Sequence, residues 1–259
     1  GVQTCALPIY PIDWYFGIRQ TTGYLAFDVN GSYIVNSANP IPLNTWVHVA
    51  VTRSSNTVRL FINGVLDGSV SNSSDLNADA EMRVGRGRGV GSVAYLNGKV
   101  SNVRYVVGNA LYTANFSVPT SPLTAIANTS LLAHQSSTQI DSSGLGSTIT
   151  TNATNINIVP ISPFTPASAN TGLGYSTTTF GGSMYFDGTG DYLVTPSKSI
   201  TSLNSDFTIE MWLYPNTVSS TQVIYDQWTN ASGSYTTGQT QLQINSSAKI
   251  VFEIGRAHV

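Results

Sequence analysis

Hydrophobic and polar positions alternate with a period of two along much of this 259-residue chain. Residues 45–52 read TWVHVAVT, with Val47, Val49 and Val51 on one side and Trp46, His48 and Ala50 on the other. Residues 58–64, VRLFING, repeat the pattern. Such alternation, built from β-branched and aromatic residues, predicts strands rather than helices. The SSN segment between the two runs, and the Asn63-Gly64 pair after the second, supply hairpin turns. Similar short runs recur along the chain, among them TGYLAFDV, SYIVNS, EMRVG, YLNGKVSNVRYVV, SLLAHQ, SMYFDG, DYLVTP, FTIEMWLYP, TQVIYDQW and KIVFEI. No helix-period segment separates them. The pattern therefore predicts an all-β antiparallel sandwich or barrel. Two Pro- and Ser-rich stretches, at residues 119–123 and 159–174, read as connections.

The termini change what composition can say. The chain starts GVQTCALPI and ends EIGRAHV. One choice of codons for the end is, apart from its first two bases, the reverse complement of the tail of one choice for the start. Both strings resemble the adapter of short-read sequencing libraries, so residues 1–9 and 254–259 are expected to be translated adapter. The single cysteine, Cys5, lies inside that stretch and supports no argument about disulfides or compartment.

Charged residues make up 9% of the chain, against roughly 25% in ordinary soluble domains. Ser, Thr, Asn and Gly take their place, while 41% hydrophobic content is ample for a core. A net charge of −2 and a pI near 5.8 argue against a nucleic-acid binder. No apolar run approaches the ~20 residues needed to cross a membrane as a helix. The one basic spot, Arg83, Arg86 and Arg88 in RVGRGRGVG, lacks the lysine-serine and helix pattern of a phosphate loop and reads as a strand-to-loop transition.

The motifs W-x-H-V-A-V-T and V-R-L-F-I-N-G (residues 46–52 and 58–64), MRVG (82–85) and LNGKVSNVR (96–104) together resemble laminin-G-like and pentraxin-like jelly rolls of the concanavalin A-like lectin/glucanase superfamily. So do SMYFDGTGDYL (183–193) and FTIEMWLYP (207–215). In that family the last two motifs come early in a domain and the first ones late. Their reversed order here implies the back part of one jelly roll, residues 10–125, followed by the front part of the next, residues 126–253. The halves are expected to close on each other as a circular permutant of one concanavalin A-like jelly roll, because each alone would expose long strand edges. Pentraxin relatives carry a disulfide at the positions matching Ala50 and Glu210. The resemblance thus implies that WVHVAV pairs with FTIEMW, with Glu210 beside His48 and Ala50 and a Glu–His hydrogen bond between them. It also extends to structural and tail-associated proteins of phages from environmental samples.

The superfamily includes glycoside hydrolases, and retaining hydrolysis needs two carboxyl groups about 5–5.5 Å apart. Glu210 has Thr208 and Trp212 as its same-face neighbours, so its own strand provides no second carboxylate. No Ser-His-Asp set or metal spacing of histidines is visible, and a wall role is expected for His48. Trp46, Trp212, Tyr214 and Trp228 are the aromatics that could stack on sugar rings, set against packing roles within the sandwich. Asp187 and Asp191 in FDGTGDY are the calcium candidates, set against a plain turn role.

The resulting expectation is a non-catalytic binding or adhesion module of a tandem-repeat extracellular or virion-surface protein. Its partner would be a glycan or a neighbouring structural protein, with no nucleic acid and no membrane insertion. The alternatives are a purely structural scaffold of a virion or tail fibre and, further off, a glycoside hydrolase of the same fold.

Overall fold

The computed structural model describes residues 14–18, 24–29, 32–73, 76, 81–89, 92–135, 139–151, 157–164, 177–195, 205–217, 224–228, 240–244 and 250–254. The strands begin with β1 (Trp14–Ile18), β2 (Tyr24–Val29), β3 (Ser32–Pro40), β4 (Val47–Ser54), β5 (Thr57–Ile62) and β6 (Val65–Ser71). They continue with β7 (Glu81–Val84), β8 (Arg86–Gly89), β9 (Ser92–Tyr95), β10 (Asn97–Val107), β11 (Thr129–Ala133), β12 (Thr150–Thr151) and β13 (Asn157–Val159). A single helical turn, α1 (Thr177–Phe180), precedes β14 (Ser183–Asp187), β15 (Leu193–Thr195), β16 (Phe207–Pro215), β17 (Tyr225–Trp228), β18 (Thr240–Ile244) and β19 (Ile250–Ile254). Every strand pairing is antiparallel among the described residues. The all-β jelly-roll expectation therefore holds, although α1 and the short strands β1, β8, β9 and β13 lie outside the runs that the period-two pattern singled out.

The largest sheet runs β13-β14-β10-β16-β4-β5-β6, with β11 added on β10. Strands from before and after residue 125 interleave within it. β16 lies between β10 and β4, and Glu210 stands directly opposite Ala50, with Trp212 opposite His48. The expected pairing of WVHVAV with FTIEMW is thus present, and the two stretches close on each other in one sheet.

Alternation assigns the two faces of that sheet. Val47, Val49, Val51, Phe207, Ile209, Met211 and Leu213 point inward to a shared hydrophobic core. Burying each such side chain stabilises by about 1.5–3 kcal/mol. The second layer comes from the β1-β2-β3 sheet and the β12-β15-β7-β17 sheet. Phe27 of β2 meets Phe207 of β16, with ring centroids 5.8 Å apart. Tyr225 of β17 meets Tyr105 of β10 at 6.0 Å.

The opposite, outer face carries the chemistry, and a bulge in β10 decides which residues reach it. Ser101 pairs with Trp212, yet the next pairing is Arg104 with Glu210. Three residues on β10 thus match two on β16. Asn102 absorbs the extra residue in the left-handed region (φ 54), where Asn is among the few tolerated side chains. Without this bulge Arg104 would point into the core. Its side chain also ties the neighbouring chain down: Leu123 N–H donates to Asn102 Oδ1 at 2.8 Å.

A strap of residues 108–126 crosses part of the outer face. It belongs to no strand, and its backbone is hydrogen-bonded to sheet side chains and to turn carbonyls instead. Thr52 Oγ1–H donates to the Tyr112 carbonyl at 2.7 Å, and Leu111 N–H donates to Thr208 Oγ1 at 2.8 Å. Phe116 N–H donates to the Gly64 carbonyl at 2.9 Å.

His134 follows β11 with φ 61 and is buried. Its Nδ1 has no hydrogen-bond partner, and desolvation lowers the imidazole pKa from 6.5 to about 4. The unfolded chain thus binds a proton between pH 6.5 and 4 that the folded chain refuses, so stability falls as pH falls through that window. The expected loss is roughly 3 kcal/mol, complete near pH 4. Denaturant titrations at pH 7 and pH 4 check this. His134→Asn, a residue suited to the left-handed backbone, should lose correspondingly less stability over the same interval.

Candidate functional site

The outer face of the large sheet is organised in rows that run across the strands. The deepest row holds Glu210, whose carboxylate is fully buried. His48 Nε2 lies 3.0 Å from Glu210 Oε2. Tyr112 O–H donates to the same oxygen at 2.8 Å. Arg104 Nε–H donates to Oε1 at 2.7 Å, and its Nη2 stands 2.5 Å from that oxygen. An ionised carboxylate only accepts, so His48 carries its proton on Nε2. The remaining Arg104 donor, Nη1, reaches the Thr124 carbonyl at 3.0 Å.

Burial pushes the Glu210 carboxyl up, but hydrogen bonding and charge from His48, the Arg104 guanidinium and the Tyr112 hydroxyl outweigh it. Its pKa therefore stays below the ordinary carboxylate value. Tyr112 is pushed up, first by desolvation and then by the Glu210 charge beside it. Aromatic rings seal the cluster. His48 meets the edges or faces of Trp212, Phe116 and Tyr112 at 5.2, 5.6 and 6.4 Å. Tyr112 and Phe116 stack on each other at 3.6 Å. His48 is a wall residue with a partner, as its sequence context implied. Arg104 and Tyr112 were not foreseen from sequence.

Toward one end of the same face, beyond the strap, lies a second row. Tyr185 of β14 pairs with Lys99 of β10, and Lys99 pairs with Tyr214 of β16. Trp46, one residue before β4, comes next, its ring 5.5 Å from Tyr214 in an edge arrangement. All four side chains are half-buried. The Lys99 ammonium lies 4.3 Å from the centroid of Tyr214 and 5.7 Å from that of Tyr185. Desolvation there lowers the lysine pKa. The row thus places two phenol rings, an indole and an ammonium side by side.

A polar row borders it. Asn216 Nδ2–H donates to Asn97 Oδ1 at 3.2 Å, and Asn97 Nδ2–H donates to the Asp187 carbonyl at 2.8 Å. Asp187 is the last residue of β14, and Asp191 lies in the loop leading to β15, so only Asp191 stands in the connection itself. Asp187 N–H donates to Asp191 Oδ2 at 3.1 Å, and Thr189 N–H donates to Asp187 Oδ1 at 2.6 Å. Among the described residues no group of three or more Asp, Glu, His or Cys side chains gathers as a metal site. A calcium ion takes six to eight oxygens, more than these two carboxylates supply by themselves.

Of the other aromatics named from sequence, Trp212 is only 8% exposed and packs against His48 and Phe164. The Trp228 side chain lies outside the described residues, as do the side chains of Arg88 and of the terminal stretches read as adapter. Arg86 lies over the Tyr192 ring at 4.3 Å, a packing contact rather than a phosphate cradle. The structure therefore joins Trp46 and Tyr214 in one row and separates Trp212 from them. It adds Lys99 and Tyr185, which no strand-level signal had singled out.

Comparison with known families gave a match to a laminin G family model described as the concanavalin A-like lectin/glucanases superfamily, over residues 10–112 and 187–259. These two segments contain every residue of the half-buried row except Tyr185. Searches of curated proteins and of solved structures each found no match.

Proposed function

We propose, from the premise that this chain belongs to the concanavalin A-like lectin/glucanase superfamily, that it is a non-catalytic binding module whose ligand is a glycan. Laminin G-like domains are generally non-catalytic binding modules, and the row Tyr185–Lys99–Tyr214–Trp46 carries the reading here. Aromatic and charged groups left half-buried on an otherwise packed sheet suit a ligand that is itself part apolar and part hydroxylated. The amides of Asn97 and Asn216 border the row where sugar hydroxyls would fall.

Glu210 supports the non-catalytic half of the proposal. Both of its oxygens are taken by His48, Tyr112 and Arg104, and the residue is fully buried. A depressed pKa also suits a fixed anion, not the raised pKa of a general acid. The low charge and high Ser, Thr and Asn content fit an extracellular or virion-surface setting. The proposed context is a tandem array of jelly rolls in an adhesive or tail-associated protein.

A glycan array followed by calorimetric titration of the strongest hit tests the proposal. Tyr214→Ala and Trp46→Ala should each weaken binding about ten- to a hundredfold while retaining the fold, since losing one aromatic contact removes about 1–3 kcal/mol. Wild-type protein that binds no glycan would favour the scaffold role.

A further inference from the structure

The Lys99 ammonium has neither an ion-pair nor a hydrogen-bond partner among the described residues; its neighbours are the Tyr214 and Tyr185 rings. Arg104, two rows away, shows the contrast: its guanidinium is matched by Glu210 and the Thr124 carbonyl. The Lys99 head is held over the rings in the middle of the row, partly desolvated, with three donors and no acceptor.

The row also has a direction. Its four side chains come from four adjacent chain segments, and neighbouring strands lie about 4.8 Å apart, giving a span of about 15 Å. That is longer than one sugar ring and lies perpendicular to the strands. It matches an internal stretch of a linear chain better than a single terminal sugar.

Resting on the glycan reading above, we infer that the ligand is a linear acidic polysaccharide, with the carboxylate of a hexuronate unit seated on Lys99. A carboxylate supplies the acceptor that the ammonium lacks, and charge-assisted hydrogen bonds are the strong ones. The flanking tyrosine and tryptophan rings meet the apolar edges of the neighbouring sugars. Asp187 in the bordering row, with Oδ1 engaged by Thr189 N–H, keeps a second anion from that side and sets the register of the acid group. A row with Lys99 as its one cation, in a chain of net charge −2, does not suit nucleic acid, whose binding rests on many phosphate contacts.

The test compares polygalacturonate with the same polymer fully methyl-esterified, which removes the charge and adds only a methyl group, and includes alginate as a second acidic polymer. Wild-type protein should bind an acidic polymer at least about tenfold more tightly than the ester, with affinity falling as salt rises. Lys99→Met, with its melting temperature unchanged, should abolish that preference, and Lys99→Arg should retain most of it. Equal binding of acid and ester, an unchanged preference in Lys99→Met, or poly-glutamate binding as tightly as the acidic polysaccharides would overturn the inference. Neutral glycans that bind and are lost on Tyr214→Ala, without any acid preference, would sink this inference alone. Binding to no polysaccharide of either kind would remove the glycan reading with it.

Discussion

Glu210→Ala is expected to cost the domain about 3–5 kcal/mol, the loss typical of removing one partner from a buried ion pair. The alanine would leave the Arg104 guanidinium, the His48 Nε2–H and the Tyr112 hydroxyl buried around a vacated acceptor. Each orphaned donor carries its own desolvation cost. Glu210→Gln keeps the shape and one acceptor oxygen but turns an N–H donor toward other donors, so it should recover only part of the loss. Replacing Glu210, Arg104 and His48 together by apolar side chains of similar volume should recover more, because a buried ion cluster contributes little net stability over a packed apolar one. Denaturant midpoints at pH 7 measure all three variants. A loss below about 1 kcal/mol in Glu210→Ala would mean that the cluster is solvated, contrary to its burial.

The same carboxylate sets a pH dependence. Its folded pKa lies below the ordinary value, first opposed by desolvation and then carried down by His48, Arg104 and Tyr112. Its contribution is therefore fully present above the unfolded carboxylate pKa and is lost as pH falls through the folded one. That window lies below the ordinary glutamate value. It meets only the lower end of the earlier window between pH 6.5 and 4 in which His134 acts.

Gly64→Ala should be nearly as damaging, at about 3 kcal/mol or more, although the residue lies in the two-residue turn between β5 and β6. Two costs combine there. Gly64 has φ +77, a conformation that costs an L side chain about 1–2 kcal/mol. A Cβ would also fall 2.1 Å from the Phe116 carbonyl oxygen, which is backbone and cannot rotate away. The strap would have to lift from the turn, breaking the bond from Phe116 N–H to the Gly64 carbonyl. Phe116 would then shift from His48 and Phe61. Gly144→Ala provides the control, since Gly144 has φ +92 with nothing within 4 Å of the added carbon. It should lose only the backbone cost. Equal thermal unfolding of the two variants would show that the strap does not depend on this turn.

The parts of this structure that were legible in the sequence are those that alternation controls. Period two assigns Val47, Val49 and Val51 to the core and His48 to the other face, whatever strand comes next to them. Alternation does not reveal a neighbour. The pairing of β4 with β16 came from family resemblance, and Glu210 as the partner of His48 followed from that register. Arg104 was hidden because the bulge at Asn102 reverses the face of everything after it, and an asparagine at φ 54 leaves no mark in a hydrophobicity pattern. Tyr112 and Phe116 were hidden for another reason. They belong to a strap anchored by side chain-to-backbone hydrogen bonds, which has no period at all. Lys99 and Tyr185 lay in strands that were recognised, but their value comes only from standing in line with Tyr214 and Trp46, which is a property of four strands in register.

The central claim is that this line of side chains is the ligand site, and locating a bound sugar chain tests it most directly. Aromatic and amide chemical-shift mapping, with the strongest-binding oligosaccharide added in steps, would do so. The account predicts that Tyr185, Lys99, Tyr214 and Trp46 shift together and saturate at one concentration, with Asn97 and Asn216 following and the His48–Glu210 cluster unmoved. Saturable shifts confined to another surface, with these four side chains unchanged, would contradict it.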